Sequence, residues 1–198
     1  MREEPERTAA IRRSDPEVLG AVVRDLLPGL LRAARAAGLD PHAAEDAVQD
    51  TILVFVQRAA DFDGRARVAA WLHGILVRKI HERRRVLRRE QGHDPIDDVM
   101  ESRFRPDGTW ARPPAGPERT LGSAELRGIV AGCLDQVPER QRLALSLREV
   151  EGFTTEEVCK ILDVTANNLG VLLFRARNRM RECLESHAIG GSDDALLS

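Results

Sequence analysis

Apolar residues recur along this chain at steps of three and four, the spacing that gathers them on one face of a helix, and not at the alternation of a half-buried strand. Ser14-Asp15-Pro16-Glu17 joins a capping box to an early proline, so a helix is predicted from there to about Ala37, closed by Gly38. Asp40-Pro41 repeats the signal and opens a second helix to about Ala60. The turn Asp61-Phe62-Asp63-Gly64 precedes a third, from about Val68 to Glu90, with Leu72, Ile75, Leu76, Ile80 and Leu87 as its inward stripe. Pro95, Pro106, Pro113, Pro114 and Pro117, with Gly108 and Gly116, then forbid a regular helix. Helices resume at about 120–135, 138–149, 155–162 and 165–185. The expected fold is therefore all-α, with two small helical domains joined by a flexible linker and moving independently. Their bounds are set at 1–91 and 120–187, with the linker at 92–119 and a disordered tail at 188–198.

The second block holds the sharpest local pattern. Thr154 and Glu157 form a capping box, and Val158, Ile161 and Leu162 follow as an apolar stripe. Asp163-Val164 makes a short turn, Thr165 caps another helix, and Leu169, Leu172, Leu173 and Ala176 face inward. Asn167, Asn168, Gly170, Val171, Phe174, Arg175 and Asn178 are left on the other faces. This is the layout of a helix-turn-helix whose second helix enters a major groove. An ordinary packed helical hairpin with a solvated face would share the pattern.

Composition and charge refine this reading. The absence of tyrosine and the abundance of Ala, Leu, Arg and Glu suit an all-α chain. Three cysteines, at no metal-ligand spacing, are expected to be reduced cytosolic thiols. Cys183 and His187 stand one helical turn apart, but two ligands do not make a zinc site, so no metal and no cofactor is expected. The start MREEPERTAAIRR has no signal-peptide core and no apolar run reaches membrane-spanning length, which predicts a cytoplasmic protein. A net charge of -2 conceals strong segregation. Arg78, Lys79, Arg83, Arg84, Arg85, Arg88 and Arg89 crowd one segment, while acidic residues gather around Glu45, Asp46 and Asp50 and around Asp94, Asp97 and Asp98. Arg78, His81, Arg85 and Arg88 form a basic stripe opposite Leu72, Leu76 and Ile80, suited to phosphate.

Four segments in order, AEDAVQD, DFDGRARVAAWLHGILVRKIHERRR, VPERQRLALSLREVEGFTTEEVCKILDVT and FRARNRMRECL, resemble a bacterial RNA polymerase sigma factor of the extracytoplasmic-function (ECF) type. The resemblance implies a three-helix-type region 2 domain that binds core polymerase and the -10 promoter element. It implies a helix-turn-helix region 4 domain that binds the -35 element, and often a cognate anti-sigma factor wedged between the two. Carried onto this chain, it assigns Asp46, Gln49 and Asp50, which share one helix face, to the clamp helices of the polymerase. It assigns the turn with Asp61, Phe62, Asp63, Arg65 and Arg67, and the basic stripe after it, to the -10 DNA, where a flipped base needs a shaped pocket. Thr165, Asn167, Asn168, Val171, Phe174 and Arg175 fall at the -35 contact. Where many relatives carry a basic or hydroxyl residue this chain has Gly170-Val171, so readout is expected from the asparagines, Phe174, Arg175 and backbone shape.

Two other functions compete with this one. A helix-turn-helix regulator that ignores polymerase would leave the acidic face and basic helix without a shared task. A metal-dependent hydrolase built on His42, His73 or His81 lacks the i, i+4 pair, nucleophile or phosphate loop it would need. A sigma factor requires no catalytic residue.

Overall fold

The computed structural model describes residues 4–90 and 123–190. Four helices make the first domain: α1 (Pro5–Arg12), α2 (Pro16–Ala36), α3 (Pro41–Gln57) and α4 (Val68–Glu90), with a short 3₁₀ turn at Ala59–Asp61. The N-cap of α2 is Asp15 and not Ser14, which lies at φ 56°, so the expected Ser14–Glu17 capping box does not form: Pro16 takes the first helical position and the residue before it becomes the cap. The Asp15 carboxylate accepts from the backbone N–H of Glu17 and Val18, and that of Asp40 from Ala43. Leu30 and Ala33 of α2, Val48 and Phe55 of α3, and Leu72, Leu76 and Ile80 of α4 are fully enclosed and form the core of this domain.

Helix α1 is missing from the expected pattern because its stretch is polar, with few apolar positions to set a period. It is held by the fully buried Ile11, with Ala10 beside it, and by a close approach to the turn after α3. Gly64 there has φ +70°, and a Cβ on it would stand 2.6 Å from Thr8 Oγ1. Only glycine suits both the left-handed backbone and the missing space.

The second domain comprises α5 (Ser123–Asp135), α6 (Glu139–Leu145), α7 (Thr155–Leu162) and α8 (Ala166–Gly190). Helix α6 continues into a wider π-type turn at Ser146–Val150, where Glu151 N–H donates to Ser146 O at 3.0 Å. The capping box closes in both directions: Thr154 Oγ1 accepts from Glu157 N–H at 3.2 Å, and Glu157 Oε2 accepts from Thr154 N–H at 2.9 Å. Asp163, in the left-handed region at φ 53°, ends α7. Thr165 Oγ1 caps α8 by accepting from Asn168 N–H at 3.2 Å.

Two expectations are corrected at this level. The domains do not stand apart. The Arg67 guanidinium, which follows the 61–64 turn, makes two 2.7 Å hydrogen bonds to the Glu157 carboxylate on α7 and lies 4.9 Å over the Phe153 ring. His73 of α4 packs edge-on against the same ring, and Arg32 of α2 pairs with Glu151 at 2.9 Å. Arg142 of α6 donates to the carbonyl of Ala36, and Arg84 bridges Ala37 O and Glu139. Side chains from both domains thereby join one buried cluster. The second correction concerns the thiols. Cys133 on α5 and Cys183 on α8 are joined as a disulfide, with Cα atoms 5.6 Å apart, and of the three cysteines only Cys159 is unjoined. Residues 188–190, expected in a disordered tail, instead continue α8; the linker at 92–119 and the rest of the expected tail, 191–198, lie outside the described residues.

Candidate nucleic-acid interface

Helix α8 divides by face as its period predicts. Leu169, Leu172, Leu173 and Ala176 are buried against α7 and α6, and Asn167, Asn168 and Gly170 are exposed. Val171 and Phe174 are 41% and 47% exposed, which gives the outer face an apolar patch beside the two amides. Arg175 is half-buried. Asn178, expected on the outer face, is corrected: it is 8% exposed, and the helical period alone does not account for this. The two asparagines occupy the first turn of α8, at the positive end of the helix dipole, which favours an anionic backbone, while the Asn168 amide itself is taken by the Thr165 cap.

The segment expected at the -10 DNA is more constrained than its composition suggested. Asp63 accepts from the backbone N–H of Arg65 at 2.9 Å and pairs with its guanidinium at 3.4 Å, folding the turn on itself. Asp61 is tied to Arg58 at 2.9 Å. Phe62 is corrected as a direct base contact: it is 3% exposed and stacks on Trp71 with ring centroids 5.1 Å apart. Its burial follows from the apolar hole that Phe55, Trp71 and α4 leave under the turn, which favours an aromatic ring by area alone. Arg67 is only partly exposed, and its guanidinium is engaged by Glu157 and Phe153. Arg78 and His81 are exposed on α4, whereas the side chains of Arg85 and Arg88 lie outside the described part.

Turn, α4 and α7 enclose a cleft of about 420 Å³ lined by Asp61, Asp63, Arg65, Arg78, Glu156 and Lys160, among others. Gly74 lies on its wall with no atom within 4 Å of where a Cβ would stand, so the cleft reaches the α4 backbone. The charges around it are mixed. Burial opposes ionisation of Glu157, but the hydrogen bonds from Arg67 and the Thr154 amide outweigh it and lower its carboxyl from 4.5 to about 2. His73 behind it shifts the other way relative to its charge. Burial lowers the imidazole from 6.5 and favours the neutral form, with Nδ1 2.8 Å from Ala69 O.

On α3, Asp46 and Gln49 are exposed and Asp50 half-buried, with Ala44, Val48 and Phe55 turned to the core. Arg83 of α4 spans this acidic face, 3.0 Å from Asp50 and 3.7 Å from Asp46. Sequence reading placed Arg83 only in a basic run; the pairing needs two helices side by side. Glu157 was likewise legible only as a cap, and its second role depends on a partner 90 positions away.

A two-domain helical protein, with a helix-turn-helix in the second domain and separated acidic and basic helix faces in the first, has the build of a transcription initiation factor. Residues 22–90 match the family described as Sigma-70 region 2, and residues 127–180 match Sigma-70, region 4. The probable RNA polymerase sigma factor of Haemophilus influenzae is 30% identical over 153 residues, covering 71% of this chain and 76% of that protein. The ECF RNA polymerase sigma-E factor of Escherichia coli K12 is 28% identical over 132 residues, 67% of this chain and 69% of its own. The sigma factor RpoE of Bartonella quintana, solved with the anti-sigma factor NepR, superposes with a TM-score of 0.61 at 27% identity and covers 83% of this chain and 95% of that one. CnrH, solved with the cytosolic domain of CnrY, shares the fold at a TM-score of 0.61 and 20% identity, over 91% and 96% of the two chains. This chain belongs to the sigma-70 family of RNA polymerase sigma factors and is of the ECF type, a non-enzymatic initiation factor. Among the described residues no helix is long and apolar enough to cross a membrane.

Proposed function

We propose that this chain works in the cytoplasm, where its region 2 domain (1–91) and region 4 domain (120–187), joined through 92–119, hold core RNA polymerase on promoters with defined -10 and -35 elements. The observation that carries the reading is the outer face of α8, where Asn167, Asn168, Val171 and Phe174 stand exposed over a buried leucine stripe. Asn is the side chain that pairs bidentately with adenine, and exposed apolar groups suit thymine methyls. Asp46, Gln49 and Asp50 are proposed to meet a basic surface of the polymerase, with Arg83 released or shared on binding. Asp61, Asp63, Arg65, Arg78 and His81 are proposed to face -10 DNA across the cleft. An anti-sigma partner fits the apolar groove of about 880 Å³ that Leu31, Val130, Leu134, Leu145, Val150 and Leu184 line between the domains.

Run-off transcription with purified core polymerase on a promoter library tests this reading. One enriched pair of elements, lost on Asn167→Ala with Asn168→Ala, is the expected result. Arg78→Ala should flatten the salt dependence of promoter binding by about 0.9 in slope on duplex DNA. Failure to co-purify with polymerase, joined to sequence-specific DNA binding by the chain alone, would favour a conventional regulator.

A further inference from the structure

Among the described residues one cluster of possible metal ligands exists, and it lies away from the surfaces assigned to DNA and polymerase: Cys133 on α5, with Cys183 and His187 on α8. Spacing alone places Cys183 and His187 on one face of a helix, two ligands and no more. Folding supplies the third, 50 positions earlier in the chain. The two sulfurs and one imidazole nitrogen all lie within 4.8 Å of one another. A tetrahedral ion with bonds of about 2.3 Å to sulfur and about 2.0 Å to nitrogen needs ligand atoms some 3–4 Å apart, a difference that side-chain rotation can absorb once the disulfide is open.

A second feature is suited to metal binding. The Nδ1 of His187 is 2.9 Å from the carbonyl oxygen of Cys183, so this nitrogen donates to the backbone and Nε2 keeps its lone pair. A ligating histidine is ordinarily held in this way, its other ring nitrogen donating to a carbonyl or carboxylate. The sulfurs are enclosed, with Cys133 1% and Cys183 9% exposed, while His187 is at the surface and leaves a route for an ion and a fourth position for water.

We propose that Cys133, Cys183 and His187 form a binding site for a thiophilic divalent ion, of which Zn²⁺ is the best fit, and that the disulfide is the alternative metal-free closure of the same clasp. Two thiolates and an imidazole disfavour Mg²⁺ and Ca²⁺, which take oxygen ligands. A dithiol reductant opens the clasp: the S–S bond breaks, two thiols form, and the reductant leaves as its own disulfide. Zn²⁺ then displaces both thiol protons to solvent and gains two Zn–S bonds and one Zn–N bond. Either closure ties α5 to the C-terminal half of α8, the helix whose N-terminal half carries the exposed asparagines.

The test is a Co²⁺ titration of the full-length chain after phosphine reduction and metal removal, followed by Zn²⁺ competition. The expected result is one equivalent of Co²⁺, with thiolate-to-cobalt charge transfer in the near ultraviolet and the visible bands of a tetrahedral ion, all lost when Zn²⁺ is added. The oxidised chain should bind none, Cys159→Ser should bind as the parent does, and Cys133→Ser should lose the charge-transfer band. His187→Ala should weaken Co²⁺ binding by about tenfold or more. Absence of the charge-transfer band from the reduced parent chain overturns the proposal, a comparison that needs no variant to fold. Equal uptake by Cys133→Ser, or by the oxidised chain, overturns it as well.

Discussion

Glu157 closes the cap of α7 and binds Arg67 from the other domain with the same carboxylate. Both partners favour the charged form, so the carboxyl titrates at about 2 where an unfolded glutamate titrates at 4.5. The folded pKa is the lower one, so its stabilising effect is complete above pH 4.5 and is lost as pH falls towards 2. Its size is on the order of 3 kcal/mol. The stability difference between the parent chain and Glu157→Gln, followed by denaturant unfolding at a series of pH values, should be constant near neutrality and shrink across that window. A difference that stays level down to pH 2 would show that the carboxylate gains nothing from its partners. On α8, Asn168→Ala should relax base preference at one position of the -35 element by about 1–3 kcal/mol, whereas Arg175→Ala should lower affinity evenly across sequences if it meets phosphate. Binding-site selection separates these outcomes, and an unchanged preference in both variants would remove this face from DNA reading.

Helices α4 and α8 each carry a glycine that their own stability does not explain. Gly74 and Gly170 lie in helix interiors, where glycine costs about 1 kcal/mol relative to alanine, and a Cβ at either would meet nothing within 4 Å. Gly74→Ala and Gly170→Ala should each raise the melting temperature by about 2–4 °C. A lower melting temperature would mean that the backbone there needs the freedom of glycine. Both positions lie on candidate DNA surfaces, so a stabilised variant with weakened promoter binding would show that the open space serves close approach to nucleic acid.

Across the molecule, the join between the domains depends on a few charged residues around Phe153. Arg67 is the centre of that join, hydrogen-bonded to Glu157 and lying over the ring. Arg67→Ala should leave the Glu157 carboxylate enclosed without its partner and weaken docking by the lower end of the about 3–5 kcal/mol seen for broken buried pairs. Small-angle scattering should then report a larger radius of gyration for Arg67→Ala than for the parent chain, with unchanged helix content. An unchanged radius would mean that Phe153, His73 and the Arg32–Glu151 pair suffice to hold the domains together. The docked arrangement also sets acidic Glu156 and Glu157 of α7 across the cleft from the turn assigned to -10 DNA.

The sequence by itself determined seven helices, the caps of α3, α7 and α8, the helix-turn-helix and, Asn178 apart, the division of α8 into buried and exposed faces. Those features arise from interactions within about four residues, and a capping box or an apolar period states them openly. It missed α1, which owes its place to Ile11 and to the fit of Gly64 against Thr8, not to any period of its own. Tertiary structure alone decided that Phe62 would fill the space beneath its turn, that Arg67 would reach Glu157, that Arg83 would span the acidic face of α3, and that Cys133 would be bonded to Cys183 close to His187. Each of these couples residues 9 to 90 positions apart, from Phe62 with Trp71 to Arg67 with Glu157. No local spacing encodes such a pair; what selects it is the shape left over when helices of known face pack together.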